Sequence, residues 1–180
     1  MSATTVDERV MGKAFLALLG APYSSRMVYA VIAWMRAESG HTVVGFNVWN
    51  HHVGPPCPAN APAAVNGIPH SQRLTGQPGG VIGNRYAGPV DRNVAIYGKA
   101  SDGLRDSANL LLWGLTPGGS WTGYGPVVKA ARLDDPRGFL DDLAASKWAA
   151  DKYGTAHGGP NRLVGLYREI VAGLGPWYAI

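Results

Sequence analysis

Apolar residues recur at helical spacing in six stretches of this chain, and the segments between them are rich in glycine and proline. From about Val6 to Leu19 the pattern predicts a helix, with Val10, Ala14, Ala17 and Leu18 on one stripe and Phe15 and Leu19 beside it. Gly20-Ala21-Pro22 stops it, and Ser24 or Ser25 caps a second helix. That helix carries Val28, Ile32 and Met35 on one face. Ala30, Ala33, Trp34 and Ala37 widen the apolar arc before Ser39-Gly40 ends it. Further on, Ser101 caps a helix to about Trp113 or Leu115, with Leu104, Ala108, Leu111 and Leu112 inside. Tyr124 to Leu133 forms a short helix with Pro126 in its first turn, and Pro136 opens another to about Ser146. Pro160 opens the last, from Asn161 to Ala172, which buries Leu163, Leu166, Tyr167 and Ile170.

Between Gly54 and Asn93 the helical period is lost. Those forty residues hold seven prolines and seven glycines and read as an irregular arm. A loop of that length, when ordered, is usually functional; the competing reading is a variable surface insertion. Short strands fit at Gly80-Val81-Ile82-Gly83 and Asn93-Val94-Ala95-Ile96-Tyr97. The expected fold is mainly α: one domain over residues 1–180, a helical core, a long Pro/Gly-rich arm and at most a small β element.

Composition narrows the class. With 46% hydrophobic and 16% charged residues, a chain of 180 residues has enough apolar surface for a real core. The formal net charge of +4 suits an acidic partner such as a cell-wall polymer. The sixteen Lys and Arg are scattered singly, without the run that marks a nucleic-acid patch, so nucleic acid is not expected as a partner. Cys57 is the only cysteine, so no intrachain disulfide is expected. The N-terminus, Met-Ser-Ala-Thr-Thr-Val-Asp-Glu-Arg-Val, lacks a basic-then-apolar leader, and no apolar stretch reaches the length of a membrane span. The expectation is a soluble chain made in the cytoplasm without a signal peptide.

Glu38 is the most informative charge. The chain has three glutamates, Glu8, Glu38 and Glu169, and Glu38 alone stands where an apolar helix meets a loop rich in glycine, asparagine and tryptophan. A helix C-terminus carries partial negative charge, so a carboxylate gains nothing there for stability. Apolar neighbours would disfavour its ionisation, which is how a general acid keeps its proton near neutral pH.

The motif Trp34-Met35-Arg36-Ala37-Glu38-Ser39-Gly40, followed by Phe46-Asn47-Val48-Trp49-Asn50, resembles the lysozyme-like superfamily, including lytic transglycosylases and phage muralytic domains. It is closest to lysozyme-like domains of actinobacteriophage proteins, in which a helix ending in Trp-x-Arg-Ala-Glu precedes an Asn-Pro-hydrophobic-Asn loop. This chain has Val48 where proline is common. The resemblance continues through Val94-Ala95-Ile96-Tyr97, Ser101-Asp102-Gly103-Leu104, Gly123-Tyr124-Gly125, Asp135-Pro136-Arg137-Gly138-Phe139-Leu140, Ser146-Lys147-Trp148 and Tyr153-Gly154, covering roughly residues 10–170. It implies cleavage of the β-1,4 glycan backbone of peptidoglycan, by a muramidase or lytic transglycosylase with a single glutamate and no cofactor.

In that setting Glu38 is the expected general acid, with Trp34 one turn earlier on the same side. The plain alternative is a helix-end residue paired with Arg36 or a lysine. Asp91 and Asp102 read as turn and first-turn residues, so no second catalytic carboxylate is assigned. Sugar contacts are expected from Asn47, Trp49, Asn50, Tyr86 and Tyr97, with Trp49 and Tyr97 equally suited to the core; Ser39 either orients Glu38 or caps the chain reversal. His51, His52, Cys57 and His70 match no metal-ligand spacing, and Cys57 in Pro-Pro-Cys-Pro lacks the helix start that would activate a thiol. Gly118-Gly119-Ser120 lacks the Lys-Ser/Thr of a phosphate loop. The expected partner is the peptidoglycan glycan strand, with other phage tail proteins if the chain belongs to a virion. A short endolysin and a non-catalytic tail-tip protein are the alternatives. The latter would use the arm and the apolar segment Leu174-Gly175-Pro176-Trp177-Tyr178-Ala179-Ile180 as assembly surfaces.

Overall fold

The computed structural model describes residues 7–39, 49, 64–65, 68–69, 81–84, 95–97, 99–113, 115, 124–146 and 159–174. The described fold is mainly α. Six helices appear in order: α1 (Glu8–Leu19), α2 (Ser25–Ser39), α3 (Ala100–Trp113), α4 (Gly125–Arg132), α5 (Pro136–Ala145) and α6 (Gly159–Leu174). Four short strands fall between α2 and α3: β1 (Ala64–Val65), β2 (Ile68–Pro69), β3 (Val81–Asn84) and β4 (Ala95–Tyr97).

The α2 helix is the axis of the fold. Every residue from Met27 to Met35 is buried, so the amphipathic face expected from sequence is instead a helix enclosed on all sides. It lies against α1, α5 and α6. Alanine at 30 and 33 allows close approach, while Trp34, Ile32 and Met35 fill the space between neighbours. A helix surrounded this way is held by tertiary packing rather than by intrinsic propensity.

Helix α1 corrects the predicted stripe. Met11, Phe15, Leu16 and Leu19 face the core, while Val10 is 61% exposed and Ala17 is also exposed. Apolar residues run nearly around this helix, so spacing alone left the face ambiguous. The bulk of Phe15, Leu16 and Leu19 decides it, because burying the largest side chains gains the most. Asp7 caps the start, its carboxylate accepting from the Arg9 and Val10 amides.

The end of α1 is a Schellman motif. Gly20 is left-handed at φ 68°, its N–H donates to Ala17, and the Ala21 N–H donates to Leu16. Buried Ala21 and Leu16 supply the apolar contact that accompanies this motif. Arg132 Nε adds a bond of 2.9 Å to the Leu19 carbonyl. Ser24 then caps α2, its hydroxyl accepting from the Met27 amide.

The last helices follow the expected boundaries closely. Pro126 and Pro136 sit in the first turns of α4 and α5, and Asp135 caps α5 by accepting from Gly138 N–H at 2.9 Å. Helix α3 begins at Ala100, so Ser101 lies inside it rather than capping it. The Asp102 and Gly103 amides donate to the Lys99 carbonyl. Helix α6 starts at Gly159, two residues earlier than expected. Both predicted strand segments are strands: β3 pairs antiparallel with β4, with an irregularity between Val81 and Gly83. Within the predicted arm, β1 and β2 also pair antiparallel, Val65 opposite Ile68. Asn66-Gly67 lies between them in the sequence and is the pair that tight hairpin turns favour. Both β1 and β4 lie against α3.

Candidate functional site

The site is built on the last turn of α2. Four aromatic rings pack beneath it: Phe15 from α1, Trp34 from α2, Trp49 from the segment after α2, and Phe139 from α5. Phe15 and Trp49 have ring centroids 4.4 Å apart, and Trp34 and Trp49 lie 4.7 Å apart. Phe15 and Phe139 meet Trp34 nearly edge-on, at 5.7 Å and 6.1 Å. All four are fully buried. Glu38 follows Trp34 by one turn and so emerges from α2 on the side of this cluster. It is half-buried, between the sealed core and solvent.

Arg36 does not serve Glu38 as its bidentate partner. Its Nε and Nη2 donate to the two carboxylate oxygens of Glu8, with Nη2 to Oε2 at 2.7 Å and Nε to Oε1 at 3.0 Å. Donating to the Glu8 carboxylate raises the pKa of the Arg36 guanidinium above its ordinary value, against the opposing effect of burial. The pair closes the open end of the α1–α2 hairpin, opposite the Gly20–Ser24 turn.

Two of the expected sugar contacts are core residues. Trp49 is fully buried, its ring faces taken by Phe15 and Trp34 rather than offered to a pyranose. Tyr97 is 2% exposed on β4, and its hydroxyl donates to Asp106 of α3. A flat aromatic suits a sugar platform and a core equally well, and of the two readings the sequence leaves open the burial of both residues matches the core one. Ser39 ends α2 as expected. Asn47, Asn50 and Tyr86 lie outside the described residues, as do Asp91, His51, His52, Cys57, His70 and Gly118-Gly119-Ser120.

The buried polar face of α3 is not legible from the apolar pattern. Asp102, Asp106 and Asn109 are each at most 9% exposed and fall at successive helical spacings, opposite Leu104, Ala108 and Leu111. That second periodicity was present in the sequence, hidden by the apolar one. Among the described residues no three His, Cys, Asp or Glu side chains converge on a metal position. No described helix is long and apolar enough to cross a membrane. Compared with family models, curated proteins and solved structures, the chain gives no match.

Proposed function

We propose that this protein cleaves the glycan strand of peptidoglycan, as a muramidase or lytic transglycosylase, with Glu38 as the single general acid. One observation carries the reading. Glu38 is a half-buried carboxylate on the last turn of the enclosed helix α2, one turn beyond the aromatic cluster, and Arg36 beside it is committed to Glu8. A general acid needs a rigid mount and access to the leaving oxygen; the enclosed body of α2 supports the first, and the half-buried place of Glu38 at its end the second. The Trp-x-Arg-Ala-Glu motif and the order of the motifs downstream support the substrate class.

The reaction needs a proton delivered to the glycosidic oxygen as the anomeric centre gains positive charge. Glu38 would deliver it. A substrate acetamido or hydroxyl group would complete a one-carboxylate reaction without a second acid. In this reading the setting is a phage particle, where a tail component opens the wall locally during entry.

Burial of Trp49 and Tyr97 favours a second reading, a tail-tip protein with this architecture and no catalysis, because it removes two of the expected sugar-stacking surfaces. Zymography on actinobacterial peptidoglycan with wild type and Glu38→Gln separates the two. Clearing by wild type and none by the variant supports catalysis; equal clearing, or none by either, removes it. Mass spectra of the fragments then distinguish reducing muramic ends, anhydro ends and reducing glucosamine ends.

A further inference from the structure

We propose that Glu8 is a positioning residue for Glu38, acting through Arg36; the proposal rests on the reading of Glu38 as a general acid. The last turn of a helix leaves its final carbonyls without intrahelical partners and is where helices fray. Something must hold it, because a general acid displaced by an ångström loses much of its rate.

The Glu8–Arg36 pair has the required geometry. Both oxygens of one carboxylate are engaged by two donors of one guanidinium, at 3.0 Å and 2.7 Å, which fixes orientation as well as distance. The side chains are only 18% and 23% exposed, so the contact is better shielded from water than an ordinary surface pair. Each partner also suits its helix end: Glu8 lies in the first turn of α1 and Arg36 in the last turn of α2. Glu38, two residues beyond Arg36, projects about 200° around the helix axis from it. Fixing Arg36 against α1 therefore sets the rotation of the turn that aims Glu38. Close packing of the two helices at Gly12 and Val28, further along the same hairpin, supplies the rigid base.

Glu8→Gln tests this with two readouts. The first is amide hydrogen exchange. Exchange at residues 36–39 is expected to accelerate about tenfold or more, while amides in the middle of α2, residues 28–34, keep their rates. The second is turnover on soluble glycan strands, where kcat is expected to fall at least about fivefold with KM within about twofold. An Arg36→Gln variant should match Glu8→Gln, and the double variant should lose no more than either, because the two act as one unit. Unchanged exchange at 36–39, or acceleration spread evenly along α1 and α2, overturns the proposal, since the pair would then serve the hairpin as a whole. Full kcat in Glu8→Gln alongside an inactive Glu38→Gln overturns it while leaving the catalytic reading intact. Equal behaviour of Glu38→Gln and wild type removes the catalytic reading instead, and the exchange pattern then decides on its own whether Glu8 anchors this turn.

Discussion

Arg26 and Asp134, 108 residues apart in the chain, are joined through two donors and one acceptor: Arg26 Nε and Nη2 lie 3.0 Å and 2.7 Å from Asp134 Oδ2. The Ser24 hydroxyl donates to the other oxygen of the same carboxylate. Asp134 thus ties the start of α2 to the turn between α4 and α5. It does so from a left-handed backbone at φ 56°. There the Asp134 N–H donates to Ala131 and the Asp135 N–H to Ala130, the same closure that Gly20 makes after α1. An aspartate occupies a position where glycine is favoured because its carboxylate does the tying.

Substitutions at Asp134 should separate backbone from side chain. Asn keeps an acceptor and tolerates the left-handed region, so it should be the mildest change. Gly relieves the backbone but loses both acceptors. Ala loses the acceptors and keeps the strain, so it should fall below Gly by roughly 1 kcal/mol. Denaturant midpoints should rank wild type, Asn, Gly, Ala. Equal values for Gly and Ala would show that the backbone conformation contributes nothing.

Two carboxylates should give stability opposite dependences on pH. Burial pushes Asp134 up, but hydrogen bonds from Arg26 and Ser24, with the charge of Arg26, outweigh it and leave its pKa below 3.8. Its contribution is present above the unfolded value and is lost as pH falls through the folded one. Asp142 is raised above 3.8, first by burial and then by the charges of Asp141 and Asp135. Its contribution is full below the unfolded value and is lost as pH rises through the folded one. Asp142→Asn should therefore raise the melting temperature at pH 7 and change it little at pH 3. Asp134→Asn should lower it at pH 7, with the difference closing in acid. A gain for Asp142→Asn that persists unchanged at pH 3 would exclude the charge-based cause.

Trp49 should behave as a core residue. Trp49→Ala should cost about 3–5 kcal/mol, because Phe15 and Trp34 lose a shared neighbour, and Trp49→Phe about 1–2 kcal/mol. If the indole instead stacked on substrate, Trp49→Phe would raise KM for glycan strands with little change in stability. Chemical denaturation and steady-state kinetics on the one variant distinguish these outcomes.

The Tyr97–Asp106 bond should matter to folding. Tyr97→Phe leaves the buried Asp106 carboxylate with one donor fewer, at a cost of about 1–3 kcal/mol. Asp106→Asn keeps an acceptor for the hydroxyl and should cost less. Urea unfolding of the two variants checks the order; a larger loss for Asp106→Asn would place the main role of that carboxylate elsewhere.

The sequence carried the helices well, and for definite reasons. Gly20, Pro126, Pro136 and the cap Ser24 act locally, through backbone geometry and nearby amides, so their effects are readable without tertiary structure. Which face of α1 turns inward was not readable, because that depends on what α2 and α3 present to it. The Asn66-Gly67 signal between β1 and β2 is local but masked by the proline-rich stretch around it. At the site, the position of Glu38 was legible from the end of one apolar period. The pairing of Arg36 with Glu8 was not, because 28 residues separate them and only the return of the hairpin brings them together. The place of Trp49 and Tyr97 stayed open for a chemical reason: their side chains serve a cleft and a core alike.

Glycines on two helices give the final test, since the same substitution should act with opposite sign. A Cβ at Gly165 of α6 meets nothing within 4 Å, so Gly165→Ala should gain about 0.5–1 kcal/mol from reduced unfolded-state entropy and better helix propensity. A Cβ at Gly12 of α1 would lie 3.2 Å from Val28 Cγ1 and 3.6 Å from the Val28 carbonyl oxygen. Val28 is 1% exposed and β-branched, with one strongly preferred rotamer in a helix, so it has little room to yield. The helices would have to part, loosening packing along the whole α1–α2 contact. Gly12→Ala should therefore lower the melting temperature despite its propensity gain, and Gly12→Leu should prevent folding. A rise in melting temperature for Gly12→Ala equal to that for Gly165→Ala would mean that α1 and α2 are not in tight contact there, and would remove the rigid base on which the last turn of α2 is held.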